Sequence, residues 1–375
     1  MIQLLLRLGT LILTFWSLWR RASCFGLGSS FYLTSSVACS RDPLSFLSAQ
    51  SNPSLDEMAS QPLPVNVEEG KIRLDTGVTA QVFFGRPTKS TKLPPLAFIH
   101  GSFHAGWCWT ERYFPYFMSL GYPVASLSLR GTGGTFAGEG VKKIKINEHA
   151  QDLESFLIQL PDVVGTDEKP IIISHSFGGL AVMKYLERNP EKASKLGGII
   201  IMCSVPPSGN GKMTMRYLSR SLVDSWKITA GFAMKRCIQN DSLCRELFFG
   251  GLKKTLEDGT VEDYGVPDED IERYQGYFKR DTEAVIDIRD LLKNLPSTNA
   301  VDGKAPHLES FPPCLVIGAE RDFIVDREGV QETATYFGVA EPTFVDSPHD
   351  VMLGRDWENA ASVIHSWVQG TVLKA

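Results

Sequence analysis

Between residues 65 and 207, apolar runs alternate with amphipathic stretches in a regular rhythm. Val65 to Leu74 and Thr79 to Arg86 alternate apolar and polar side chains with a period of two, which predicts a β-hairpin. Pro94 to His100 is almost wholly apolar, as a strand covered on both faces must be. Trp107 to Leu120 carries a helical pattern, and Pro123 to Leu129 is a second buried strand that runs into the loop Arg130-Gly-Thr-Gly-Gly134. Ile146 to Leu160 sets Ala150, Leu153, Phe156 and Leu157 on one stripe of a helix. The β-rich run Pro170 to Ile173 leads into a helical pattern from Phe177 to Arg188, and Gly197 to Met202 is a further core strand closed by Pro206 and Pro207.

The rhythm stops at Ser208. From there to Ser310 no buried strand is expected, and helical periodicity near 214–238, 241–250 and 268–278 predicts a helical insertion. Strands resume at Pro312 to Gly318 and at Pro342 to Val345, and a last amphipathic helix covers Trp357 to Gln369. Strands alternating with helices predict the α/β class, a mostly parallel sheet with helices on both faces. The expected organisation is a targeting segment and linker over residues 1–64, a first part of the core over 65–207, a helical lid over 208–311 and a second part of the core over 312–375.

The amino terminus obeys different rules. Met1 to Trp19 is mostly Leu, Ile, Phe and Trp broken by Arg7, no acid precedes Asp42, and residues 42–64 are rich in Pro, Ser and Gln. A basic, Ser-rich, acid-poor leader predicts an organellar transit peptide, with the chloroplast as destination. The alternative is a secretory signal or a short membrane anchor at residues 1–19, which would give peripheral membrane association. Met58 as an internal start would give a cytosolic form.

Composition narrows the chemistry. The chain has 375 residues, 43% hydrophobic and 22% charged, with a formal net charge of -5, and no basic stripe that would suit nucleic acid. Its seven cysteines contain no Cys-x-x-Cys pair. Cys237 and Cys244, read as one helix, would be about 10 Å apart, too far to bridge, so free thiols are expected. The Gly131 to Gly134 loop fails the dinucleotide pattern and nothing has zinc-ligand spacing, so neither a cofactor nor a metal is expected.

The chemistry centres on Ile171-Ile-Ile-Ser-His-Ser176-Phe-Gly-Gly. A strand driving through small residues into a helix is the layout of a nucleophile elbow, with Ser176 held out for attack and Ser174 where the usual pattern has Gly. A serine hydroxyl needs a base, and the base needs an acid to hold its tautomer. His349, in Ser-Pro-His-Asp350 after the last expected strand, is the candidate base; Asp322, in Gly-Ala-Glu-Arg-Asp after the preceding one, is the candidate acid. Asp326 and Glu320 compete with Asp322. Such groups gather at the carboxyl edge of an open α/β sheet. The loop His100-Gly-Ser-Phe-His-Ala-Gly-Trp107 follows a core strand, so the backbone N–H of Ser102, with that of Phe177, is the candidate oxyanion hole. His100 is expected to order this loop; His104 and Trp107 either line the substrate pocket or pack.

Together these motifs resemble the α/β-hydrolase superfamily, and within it are similar to the plant methylesterase and hydroxynitrile lyase group, over roughly residues 65–370. The resemblance implies an α/β-hydrolase fold with Ser176 as nucleophile, His349 as base, Asp322 as acid and Ser102 and Phe177 as oxyanion donors. Relatives that open epoxides or displace halide carry Asp where this chain has Ser176, so acyl transfer is implied. The expected activity is hydrolysis of a small, apolar ester or thioester through an acyl-enzyme. The alternatives are a lyase or acyltransferase using the same triad, or a ligand receptor that retains it.

Overall fold

A computed structural model describes residues 62–374, apart from 90–91, 233, 251–253, 256–257, 259–260, 263–264 and 283. The expected targeting segment lies outside the described residues, save for its last three positions. Eight strands form the main sheet: β1 (Val67–Arg73), β2 (Thr79–Gly85), β3 (Leu96–Ile99), β4 (Val124–Leu127), β5 (Ile171–His175), β6 (Gly198–Met202), β7 (Cys314–Arg321) and β8 (Thr343–Pro348). Their spatial order is β1-β2-β4-β3-β5-β6-β7-β8. The opening hairpin is antiparallel and β2 runs antiparallel to β4, while every pair from β4 to β8 is parallel. Every residue of β3, β4, β5 and β6 is buried, which is why these strands are mostly apolar without alternation, Ser126, Ser174 and His175 being the polar exceptions.

Helices α1 (Tyr113–Ser119), α2 (Ile146–Val164) and α3 (Phe177–Arg188) connect the central strands. The helix expected over 107–120 is split into a 3-10 turn at Gly106–Trp109 and α1. Pro115 explains the break: its ring would strike the carbonyl four residues back in a continuous helix, whereas in the first turn of α1 its missing N–H costs nothing. α2 continues past Pro161 and ends at Gly165, whose φ of 77° is left-handed.

The segment after β6 supplies α4 (Asn210–Arg220), α5 (Leu222–Phe232), α6 (Asp241–Phe248), α7 (Asp268–Arg280) and α8 (Ile288–Lys293). It also holds three two-residue strands, at Lys254–Thr255, Val261–Glu262 and Val285–Ile286, too short for hydrophobic periodicity to register. The Asn240 side chain accepts the Leu243 N–H at 2.8 Å and starts α6, so Cys237 and Cys244 sit on separate elements rather than one helix; both thiols are free. α9 (Arg327–Tyr336) and α10 (Trp357–Trp367) complete the second part of the sheet.

The core is anchored on one face of β3. Phe98 is fully buried, with ring centroids of Trp109, Phe114, Phe117 and Tyr113 at 5.0, 5.6, 5.9 and 6.2 Å. Truncating it leaves a cavity that four large rings cannot all close. Phe98→Ala is expected to lower the unfolding free energy by about 3–5 kcal/mol in a denaturant titration. Ile158→Ala, at a site 59% exposed, should change it by no more than about 0.5 kcal/mol.

Candidate active site at the carboxyl edge of the sheet

Ser176 stands between β5 and α3 with φ 52° and ψ -122°, a conformation that a non-glycine residue holds only when its surroundings impose it. They do. Its N–H donates to the Met202 carbonyl at 3.0 Å, and its own carbonyl accepts from Gly179 N at 3.0 Å and Val205 N at 3.3 Å. Two glycines let the chain pass. A Cβ at Gly101 would lie 2.7 Å from Ser176 Cβ, and one at Gly178 would lie 2.5 Å from the His100 carbonyl oxygen. The His100–Trp107 loop therefore lies directly against the elbow. Ser174 is buried within β5, paired with Ile99 and Ile201, so the elbow forms with serine in place of the usual glycine.

His349 follows β8, and its Nδ1 lies 2.9 and 2.8 Å from the two carboxylate oxygens of Asp322, which follows β7. Asp322 Oδ1 also accepts from Ile324 N at 2.7 Å and Val325 N at 2.9 Å, which fixes the carboxylate. Burial alone would lower the pKa of His349. The Asp322 carboxylate outweighs it and, with a smaller contribution from Asp350, holds the imidazole above its ordinary 6.5. The two rival acids are occupied elsewhere. Asp326 caps α9 through Gly329 N at 3.0 Å and binds Arg216 through two 2.6 Å contacts; burial opposes its ionisation, but Arg216 brings its pKa below the usual value. Glu320 pairs with Arg327 at the surface.

The loop carrying His349 is fastened beside Ser176. His175 Nε2 donates to the His349 carbonyl at 2.9 Å, and the two rings are 4.7 Å apart. Cys203 joins them, with donor-type atoms of His175, Cys203 and His349 all within 4.8 Å. This trio does not suit a metal. Burial, then Asp322, pushes the Cys203 thiol well above its ordinary pKa, away from the thiolate a metal takes, and His175 Nε2 is spent on the carbonyl.

As the first residue of α3, Phe177 has an N–H with no acceptor in its own helix. Ser102 is exposed, next to Gly101 in the loop that meets Ser176. His100 orders this loop as a neutral ring: Nδ1 donates to the Gly101 carbonyl at 2.8 Å and Nε2 accepts the Leu129 N–H at 2.9 Å. Burial brings its pKa down to about 3. His104 and Trp107 are buried and turn their polar atoms to the protein. Trp107 Nε1 donates to Asp281 Oδ2 at 2.8 Å, and its ring lies 4.2 Å from that of Tyr277 on α7. His104 Nδ1 donates to the Ser102 carbonyl at 2.8 Å, and its Nε2 lies 2.9 Å from Asp350 Oδ2.

Asp350 belongs to the site although no motif marks it. It is fully buried, its N–H donates to the Phe248 carbonyl of α6 at 2.9 Å, and its Oδ1 has no partner among the described residues. Through His104 it ties the Ser102 loop, and through its own N–H the insertion, to the loop that carries His349. The only signal in the sequence is an acid next to the candidate base. Phe103 faces Phe232, Phe248 and Phe278 at 5.2, 5.9 and 6.1 Å, and Phe248 lies 6.3 Å from His349, so an aromatic wall adjoins the loops of the candidate triad. His149 is a packing residue, buried with its ring 5.5 Å from Phe177 and its pKa lowered by burial to about 4.

Residues 96–362 match the model of the alpha/beta hydrolase family. Among curated proteins, Methylesterase 1 of Arabidopsis thaliana is 31% identical over 96 residues, 26% of this chain and 35% of that protein. Methyl jasmonate esterase 1 of Vitis vinifera is 33% identical over 97 residues (26% and 34%), and norfluorocurarine synthase 1 of Strychnos nux-vomica is 31% identical over 96 (26% and 34%). The chain thus spans only about a third of the length of these relatives. Among solved structures, epoxide hydrolase A of Mycobacterium thermoresistibile superposes with a TM-score of 0.55 at 17% identity, over 81% of this chain and 99% of that one. An epoxide hydrolase of Vigna radiata gives 0.54 at 17%, over 81% and 98%. At that identity the likeness is one of fold, which the strand order repeats independently. With a family match covering most of the described residues, the chain belongs to the α/β-hydrolase family.

Proposed function

We propose that this protein hydrolyses a carboxylic ester or thioester of a small, predominantly apolar substrate through an acyl-enzyme. The observation that carries the proposal is the His349–Asp322 pair at 2.8–2.9 Å, fastened through His175 to the strained elbow at Ser176. Ser176 Oγ attacks the ester carbonyl while His349 Nε2 takes its proton. Asp322 holds the other ring nitrogen and stabilises the imidazolium that forms. The N–H groups of Phe177 and Ser102 receive the oxyanion. His349 then protonates the leaving alcohol and activates water for deacylation. The aromatic wall of Phe103, Phe232, Phe248 and Phe278 favours an apolar acyl or alcohol group. The esterase names of two of the relatives support the same reading.

Asp350 and His104 act in this scheme as positioning residues. One imidazole holds the Ser102 carbonyl and the carboxylate adjacent to His349, so the oxyanion loop and the base move as a unit.

Ser176→Ala is expected to abolish labelling by a fluorophosphonate and to lower kcat by roughly 10⁴-fold or more. The intact protein should release acid and alcohol in equal amounts over many turnovers. Release of neither, or a single turnover, would instead indicate a lyase or a receptor. The base must be neutral to act, so kcat/KM should rise with pH through an apparent pKa above the ordinary 6.5 of histidine. In Asp322→Asn burial is opposed only by the smaller contribution of Asp350, and that limb should move down in pH while kcat falls by about 10⁴. Asp350→Asn should reduce kcat by up to about 10²-fold with KM little changed. Adding His104→Gln should cost little more, because the two act as one unit in a double-mutant cycle.

A further inference from the structure

We propose that the α4–α5 hairpin of the insertion is a docking surface for an anionic lipid bilayer. The inference rests on the surface itself and stands whether or not the ester reading does. Met215, Leu218, Leu222, Val223 and Trp226 are 57, 44, 74, 63 and 56% exposed. Leu222, Val223 and Trp226 share one face of α5 at spacings of four and three residues, and Met215 and Leu218 are three apart on α4, the helix that precedes it across the extended Ser221. A monomeric soluble protein rarely leaves such a patch uncovered without a use for it.

The charge around the patch selects the occupant. Between Ser208 and Asn240 the chain carries six cations against the single acid Asp224. Arg216 and Arg220 pair with Asp326 and Glu328, Lys227 with Glu246, and Lys235 donates to the Thr282 carbonyl, which leaves Lys212 and Arg236 to face an anionic surface. Lys212 and Arg236 have no ion pair among the described residues, and the Arg236 guanidinium lies 6.0 Å from the centre of the Trp226 ring. Leu and Trp flanked by Lys and Arg on a helix is the pattern of a segment lying in the interface of a membrane, with the apolar side chains at the headgroup boundary and the cations among anionic headgroups. A second copy of the chain is a poor occupant, since a two-fold contact through this face would set one basic patch on another. No helix among the described residues is long and apolar enough to cross a membrane, so the association would be peripheral.

The hairpin is also held where such docking would matter. Arg216 and Arg220 both reach Asp326, four residues beyond Asp322, so α4 is fastened over the edge of the sheet that carries the candidate triad. A docked hairpin would set that edge against the lipid surface.

The test uses the full chain with vesicles of phosphatidylcholine alone and of an equal mixture of phosphatidylcholine and phosphatidylglycerol, read by co-sedimentation. Wild type should bind the mixed vesicles, bind neutral ones at least about tenfold more weakly, and be released by added salt. A Leu222→Glu, Trp226→Glu chain and a Lys212→Glu, Arg236→Glu chain should each lose about tenfold or more of that binding. Both should keep the wild-type circular dichroism and thermal transition, because all four side chains are at the surface. Wild type that binds neither vesicle overturns the proposal. So does undiminished binding by both variants, which would move the contact to another part of the chain such as residues 1–19. A wild-type dimer in size-exclusion chromatography that the Leu222→Glu, Trp226→Glu chain abolishes, without vesicle binding, overturns it in favour of self-association.

Discussion

The backbone at Ser176 is the constraint on which the site depends. A serine at positive φ is unfavourable by roughly 1–3 kcal/mol, and it persists because hydrogen bonds hold both sides of the residue. The same turn brings the His100–Trp107 loop so close that only glycine fits at 101 and 178. Those two glycines set how closely the His100–Trp107 loop approaches the elbow. A side chain at either would push the parts of the site apart before any reacting group had changed.

Much of this was legible in the sequence, and for identifiable reasons. β3 and β6 are covered on both faces and appear as unbroken apolar runs, β5 is equally buried and breaks only at Ser174 and His175, and the Ser176 elbow falls where the β period changes to the helical one. Asp322 and His349 could be placed because each follows such a run directly. Errors came where one residue overrode a periodic pattern. Pro115 divided the helix expected over 107–120, and Asn240 separated Cys237 from Cys244 by capping a new helix between them. Asp350 carries no periodic signal. Its importance comes from His104, which is 246 positions away in the chain and 2.9 Å away in space.

Five of the seven histidines are buried around the elbow, and their environments divide them sharply. His100, His149 and His175 lose charge to desolvation, whereas His349 gains it from Asp322. The proton-accepting character of one ring therefore depends as much on the silence of its neighbours as on its own carboxylate. A cationic His175, with its ring 4.7 Å away, would oppose every proton that His349 takes up.

Asp281 gives the insertion a fixed corner. Its two oxygens receive Trp107 Nε1 and Gly133 N, each at 2.8 Å, from separate loops of the core, while Arg280 closes over them. The end of α7 is thereby riveted to the body by a buried carboxylate. With Arg216 of α4 on Asp326 and Phe248 of α6 on the Asp350 N–H, the insertion is pinned at three separate points, so traffic to the interior would thread between the pins rather than beneath a lifting roof.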